Sequence, residues 1–305
     1  MNNLLTTEHL DREVLEELLD ESDGFAEVLT RPIPKVPALR GKTVATMFFE
    51  PSTRTRMSFE KAAKALSADT VTFSPGTSAL SKGESLKDTA LTIRAMGVDL
   101  MVVRHKATGV AWRLAEWLDI PIVNGGDGAH QHPTQALLDC LTIRQHFGSL
   151  DGLKIAIVGD IKHSRVARSD IFAMTTLGAQ VVLVGPPTLL PIDPEVWPIS
   201  VAHSIDEVLD DIDVVYLLRV QTERGGGSVF PSESEYTRRF GMTSDRFARL
   251  RPEAIVMHPG PMNRGVEIGY DVADDDRALI LQQVSNGVAT RMAVLFRLLG
   301  GDHDA

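Results

Sequence analysis

The stretch Thr43-Val44-Ala45-Thr46-Met47-Phe48-Phe49-Glu50-Pro51-Ser52-Thr53-Arg54-Thr55-Arg56, followed by Met57-Ser58-Phe59-Glu60, reads as a strand, a tight turn and the start of a helix. Its apolar run, 44–49, stops at Pro51. Three hydroxyls and two guanidiniums then fall within 52–56, ahead of helical spacing at Phe59, Ala62, Ala63 and Leu66. A helix starting here presents unpaired backbone N–H groups and the positive end of its dipole, which together favour an anion. Ser52, Thr53 and Thr55 add hydroxyl donors, and the arginines add forks that match phosphate or carboxylate. An N-cap with surface arginines would explain Ser-Thr alone. A phosphate cradle explains the whole string better, because so many donors in one turn otherwise lack an acceptor.

Outward from this turn, strands and helices alternate. Upstream, a helix is predicted over 7–19, broken at Asp23-Gly24, with a proline-rich connector over 31–41. The strand is predicted over 43–49, the helix over 55–66 and a short strand over 71–73. A polar, aperiodic loop at 74–84 follows, then a helix over 85–96. A strand over 99–103 leads to Arg104-His105, a helix covers 111–118, and a strand over 120–123 leads into Asn124-Gly125-Gly126-Asp127. A helix then runs from Pro133 to about 147, proline suiting the first turn. The pattern restarts with a strand over 155–158, a helix over 165–177 and a strand over 181–184. A connector over 186–198, a short helix over 205–209 and a strand over 214–218 follow. The polar stretch 220–243, with Gly225-Gly226-Gly227, reads as a second loop. A strand over 254–257 and a last helix over 286–299 close the chain. The alternation predicts α/β architecture: two doubly wound domains, each with a mainly parallel sheet, divided near residue 150. Ligands of such sheets bind beyond the carboxyl ends of strands. Polar groups follow six of the predicted ends, at 52–56, Arg104, 124–132, 160–165, Arg219 and 258–264.

Composition narrows the partners. A formal net charge of -10 argues against nucleic acid and anionic membrane, and it makes local clusters of Arg, Lys and His more informative. The single cysteine, Cys140, excludes an intrachain disulfide and fits a reducing, cytoplasmic setting; no run is long enough to span a membrane. Cys140 lies in an apolar helical stretch and reads as structural. His130 and His132 form a His-x-His pair without a matching carboxylate or cysteine cluster, so no metal is expected. His132 and Gln135, at i and i+3 around a helix start, could reach one ligand oxygen or simply cap the helix. Gly159-Asp160 offers one glycine where the dinucleotide fingerprint needs three, and there is no Gly-x-x-x-x-Gly-Lys-Ser/Thr. Arg165 and Arg219 each read as salt-bridge residues, or together as a grip on a dicarboxylate. The whole is cationic and rich in donors. It suits a reaction between two anions whose transition state gains charge on oxygen.

Two segments carry a resemblance. Phe49-Glu50-Pro51-Ser52-Thr53-Arg54-Thr55-Arg56-x-Ser58-Phe59-Glu60 resembles the carbamoyl-phosphate motif of the carbamoyltransferase family, and His132-Pro133-Thr134-Gln135-Ala136-Leu137-Leu138-Asp139 is similar to its second signature. The loop from Thr77 to Glu84, the segment Gly159 to Arg165 and Arg219-Val220-Gln221-x-Glu223-Arg224 resemble the aspartate-specific catalytic chains of that family. The His-Cys-Leu-Pro segment and Ser-Met-Gly loop of ornithine-specific members have no counterpart. The resemblance implies a carbamoyl-phosphate-binding domain over 1–145, completed by a C-terminal helix at 286–305, and an aspartate-binding domain over 146–285, with the active site in the cleft between them. It implies that Ser52, Thr53, Arg54 and Thr55 hold the phosphate, and that Thr55, Arg104 and His132 polarise the carbamoyl oxygen. Gln135 and the backbone around Gly260 and Pro261 would hold the carbamoyl amide. Lys82, Arg165, Arg219 and Gln221 would bind L-aspartate. Lys82 and Ser78 match loop residues that enter a neighbouring subunit's site, which implies a homotrimer with shared sites. Family members differ in whether a regulatory chain or dihydroorotase joins them. No metal or organic cofactor is implied.

Overall fold

A computed structural model describes residues 1–73, 83–220 and 232–300. The chain divides into two compact units: residues 1–141 joined by the C-terminal residues from Ser285 onward, and Thr142–Val284. Each is a parallel sheet flanked by helices, the expected fold class.

In the first unit, α1 (Arg12–Leu29) precedes β1 (Thr43–Phe48), α2 (Thr53–Ala65), β2 (Asp69–Phe73), α3 (Leu86–Ala95), β3 (Leu100–His105), α4 (Val110–Trp117), β4 (Ile122–Asp127) and α5 (Pro133–Phe147). The sheet order is β2-β1-β3-β4, with every pair parallel. From β1 the chain winds one way to β2, then crosses back to β3 on the other side. The carboxyl ends of β1 and β3 therefore border a topological switch point, where such sheets bind ligands. Register places Phe48 opposite Arg104, so the turn after β1 and Arg104 open on the same crevice. The buried faces of β1 and β3 (Ala45, Met47, Met101, Val103) pack with Ala90, Ala111 and Leu114 from α3 and α4.

The second unit continues with β5 (Lys154–Val158), α6 (Arg165–Thr176), β6 (Gln180–Val184), β7 (Ser200–Ala202), β8 (Val214–Leu217), α7 (Glu233–Phe240), α8 (Ser244–Arg249) and β9 (Ile255–Met257). Its sheet runs β7-β6-β5-β8-β9, again wholly parallel, with the switch point between β5 and β8. The last helix, α9, spans Ile280–Leu299.

Several boundaries differ from the sequence reading. Helix α1 starts later, at an Asp11 N-cap whose side chain accepts from the Val14 N–H, and it runs through Gly24 to Leu29. Helix α2 starts two residues earlier than expected, behind Ser52. Residues 124–127 belong to β4 rather than to a loop, because they continue pairing with β3 across a register shift. Gly125 permits this: a Cβ there would lie 3.2 Å from the Val103 carbonyl oxygen. Part of the stretch expected as a second loop is α7, capped by Ser232 and anchored by buried Tyr236 and Phe240. The short helix expected at 205–209 is two single 3-10 turns, Ile205–Glu207 and Leu209–Asp211. Among the described residues no helix is long and apolar enough to cross a membrane.

Candidate active site

In the first unit the cradle forms where β1 passes into α2. Ser52 is the N-cap in extended conformation, φ -158° and ψ 91°, yet its side chain makes no capping hydrogen bond among the described residues. An N-cap serine ordinarily satisfies one of the orphan N–H groups. Thr53 and Arg54 are exposed in that first turn, and Thr55 is buried. Partial desolvation lowers the pKa of Arg54, but a guanidinium in an exposed first turn stays cationic.

Arg104 is held at the end of β3 from two sides. Its Nη1 donates to Thr55 Oγ1 at 3.5 Å and to the Gly125 carbonyl at 3.4 Å, and its Nε lies 3.5 Å from Glu50 Oε2. Phe49 N donates to the Arg104 carbonyl at 2.8 Å, tying the turn after β1 to the same residue. The guanidinium is thus fixed beside the helix N-terminus, next to Thr55.

His132 and Gln135 arrive by a loop organised around buried Asp127. Its carboxylate accepts from Asn124 Nδ2 at 2.9 Å, from Gln131 N at 3.1 Å and from Gly109 N at 2.7 Å. Gln131 Oε1 in turn accepts from Thr7 Oγ1 at 3.3 Å. This scaffold sets where α5 begins, with buried His132 immediately before Pro133. Gln135 N donates to the His132 carbonyl at 2.9 Å, and Gln135 Nε2 donates to Asp139. Ser52, Thr53, Arg54, Thr55 and Arg104 are therefore gathered at the ends of β1 and β3. His132 and Gln135 enter at the start of α5, after the neighbouring strand β4.

The second unit repeats the arrangement with different residues. Arg165 is the first residue of α6, buried, after Ser164, whose side chain caps the helix by accepting from Ala167 N. Arg219 follows β8 and is half-buried. Register pairs Val158 with Leu217, so the two arginines flank the β5/β8 switch point. The segment after β9 is braced by a buried His258–Glu267 pair, Nε2 to Oε1 at 3.2 Å. Gly260 N donates to His258 Nδ1 at 2.8 Å, which leaves Nε2 as the protonated nitrogen facing the carboxylate. Asn263 N donates to the same Glu267 oxygen at 2.5 Å. The braced turn holds half-exposed Gly260, at φ 62°, and exposed Pro261. Among the described residues no group of three or more His, Cys, Asp or Glu side chains is placed to hold a metal ion. Ser78, Lys82 and Gln221 lie outside the described residues.

Two family models match the chain, one in each half. Residues 2–145 match the carbamoyl-P binding domain of aspartate/ornithine carbamoyltransferase, and residues 151–298 match its Asp/Orn binding domain. The chain belongs to the aspartate/ornithine carbamoyltransferase family. Within it, the aspartate carbamoyltransferase catalytic subunit of Thermobifida fusca is 56% identical over 301 residues, which is 99% of this chain and 96% of that protein. The corresponding subunit of Acidothermus cellulolyticus is 55% identical over 100% of this chain and 94% of its own length. Among solved structures, the Trypanosoma cruzi aspartate transcarbamoylase in complex with N-(phosphonacetyl)-L-aspartic acid superposes with TM-score 0.89 at 30% identity, covering 98% of this chain and 96% of that one. The catalytic subunit of M. jannaschii aspartate transcarbamoylase gives TM-score 0.86 at 37% identity, with both chains fully covered.

Reading residues alone misses the side chains that brace the candidate residues: Glu50, Asn124, Asp127 and Asp139 in the first unit, and Glu267 in the second. Asp139 carries a legible signal, since i and i+4 on a helix are neighbours. Glu50 sits inside the motif but reads as turn polarity. Asp127 and Glu267 each accept from a side chain and from backbone N–H groups, and no residue spacing announces that combination.

Proposed function

We propose that this chain transfers the carbamoyl group of carbamoyl phosphate to the amine of L-aspartate, giving N-carbamoyl-L-aspartate and phosphate in pyrimidine synthesis. The observation that carries this reading is the parallel register of β1 and β3, which sets Arg104 beside Thr55 at the N-terminus of α2. A dianionic phosphate docks on the free N–H groups of α2, with Ser52, Thr53, Arg54 and Thr55 as further donors. The carbamoyl oxygen then lies toward Thr55, Arg104 and His132, and Gln135 with the Gly260–Pro261 backbone takes the carbamoyl amide.

Neutral aspartate amine attacks the carbamoyl carbon. Charge gathers on the carbamoyl oxygen, where the fixed donors of Thr55, Arg104 and His132 stabilise it without reorganising. The tetrahedral intermediate collapses with departure of phosphate, which carries off the amine proton. His132 serves as a hydrogen-bond donor, not a general base. The acceptor is assigned to aspartate because Arg165 and Arg219 are cations that suit two carboxylates, with Gln221 and Lys82 completing the grip. Relatives more than half identical over nearly the whole chain are named for aspartate, which supports the same choice.

In this reading the first unit is the carbamoyl-phosphate domain and the second the aspartate domain, both contributing to one site. Lys82 comes from a neighbouring copy, so the working form is a homotrimer. Its compartment is the cytoplasm, in keeping with a buried Cys140 that forms no disulfide. Product analysis with carbamoyl phosphate and either aspartate or ornithine tests the assignment. Carbamoyl-aspartate is expected, and citrulline formation without it would overturn the choice of acceptor.

A further inference from the structure

Gln135 and Asp139 lie one turn apart on α5, and Gln135 Nε2 donates to both Asp139 oxygens, at 3.1 and 3.2 Å. A carboxylate accepts and does not donate, so the nitrogen end of the Gln135 carboxamide must face Asp139. Its oxygen, Oε1, is thereby turned the other way. Both residues are buried, Asp139 completely, so water competes little with this bond. A buried cation balances the acid. Arg291 on α9 donates from Nη1 to Ser58 Oγ and to the Gly287 carbonyl, each at 2.9 Å, and lies over the Phe59 ring at 5.1 Å. Burial lowers its pKa to about 10 while the charge of Asp139 acts in the opposite direction, so it is cationic at neutral pH.

An outward Oε1 accepts from an –NH2 group and offers nothing to a methyl group. We propose that Asp139 is a positioning residue that makes the carbamoyl pocket read an amide: by holding Gln135 Nε2 it presents Oε1 to the carbamoyl nitrogen, and so selects carbamoyl phosphate over acyl phosphates. This rests on the placement of Gln135 at the carbamoyl amide proposed above. A pocket built around a specific hydrogen bond rejects the analogue lacking the matching group far better than an apolar pocket does.

The test is calorimetric binding of three probes to the full-length protein: phosphonoacetamide, 2-oxopropylphosphonate (the same shape with methyl replacing NH2) and inorganic phosphate. The wild type is expected to favour the amide over the ketone by roughly tenfold or more. In Asp139→Asn either orientation of the new amide puts a donor against Gln135 Nε2, because both oxygens now contact it. Most of the amide preference should vanish while phosphate affinity stays within about twofold, since the cradle on α2 is untouched. Asp139→Ser, which is too short to hold Nε2, should behave alike. Adding Gln135→Met to Asp139→Asn should cost no further preference than Gln135→Met alone, as expected if Asp139 acts through Gln135. Retained preference in both Asp139 variants overturns the proposal. Parallel loss of phosphate affinity also overturns it, leaving Asp139 a packing residue, and so does additivity in the double variant. A wild type without amide preference would instead remove Gln135 from the carbamoyl group, and the proposal with it.

Discussion

Arg54 sits in the first turn of α2 with no ion pair among the described residues, a cation placed where the dipole already favours an anion. Arg104 is the contrasting case: it is anchored by Thr55, Gly125 and Glu50, so its direction is set before any ligand arrives. In the proposed reaction the first binds the leaving phosphate and the second meets developing charge on the carbamoyl oxygen. Arg54→Ala is therefore expected to cost about 3 kcal/mol of transition-state stabilisation, roughly a hundredfold in kcat/KM, with little change in thermal stability. Steady-state kinetics beside a melting curve checks this, and near-normal kcat/KM would remove Arg54 from the cradle. At this scale the sequence was legible where donors crowd: Ser52, Thr53, Arg54 and Thr55 all fall at the helix start. It was mute on Glu50 and Asp127, because an acid that braces a nearby arginine or orders backbone N–H groups looks like any other loop carboxylate.

Periodicity made most strands and helices readable, since fully buried parallel strands are short apolar runs. The failures have separate causes. Residues 124–127 read as a turn because glycines and an aspartate usually mark one, whereas here Gly125 serves close strand packing. Helix α7 was hidden in polar sequence because only Tyr236 and Phe240 face its core. It is also tied down by a cation. Arg246 on α8 donates to the carbonyls of Thr237, Arg238 and Gly241 and forms a two-pronged pair with Asp206, the shorter contact at 2.6 Å. Hydrogen bonding from Arg246 holds the Asp206 carboxyl below its ordinary value. A lowered carboxyl pKa adds stability above the unfolded-state value, and that stability is lost as pH falls through the folded value. Asp206→Asn should cost about 1 kcal/mol at neutral pH, a modest figure because Asp206 is partly exposed. The difference in Tm from wild type should shrink as pH falls below the usual carboxylate range. A difference that stayed constant with pH would contradict the role given to the pair.

The division into two α/β domains was readable because the strand–helix alternation restarts near residue 150. Topology then explains why the polar groups gather: in each unit they follow the carboxyl ends of strands at, or one strand away from, the point where strand order reverses. Assembly is the part that single-chain periodicity cannot carry, and here the argument comes from Lys82 and its resemblance to a loop residue shared between subunits. In the proposed homotrimer, hybrids made from Lys82→Ala and Arg54→Ala chains should recover part of the wild-type activity, because some sites would receive both intact residues. Hybrids as inactive as their parents would argue against shared sites. The central claim is the choice of acceptor, and competition tests it most directly. Carbamoyl phosphate labelled in the carbamoyl carbon is supplied with equal concentrations of L-aspartate and L-ornithine in one vessel, and the label is followed by chromatography. The account predicts that it appears in N-carbamoyl-L-aspartate; label in citrulline, with none in carbamoyl-aspartate, would contradict it.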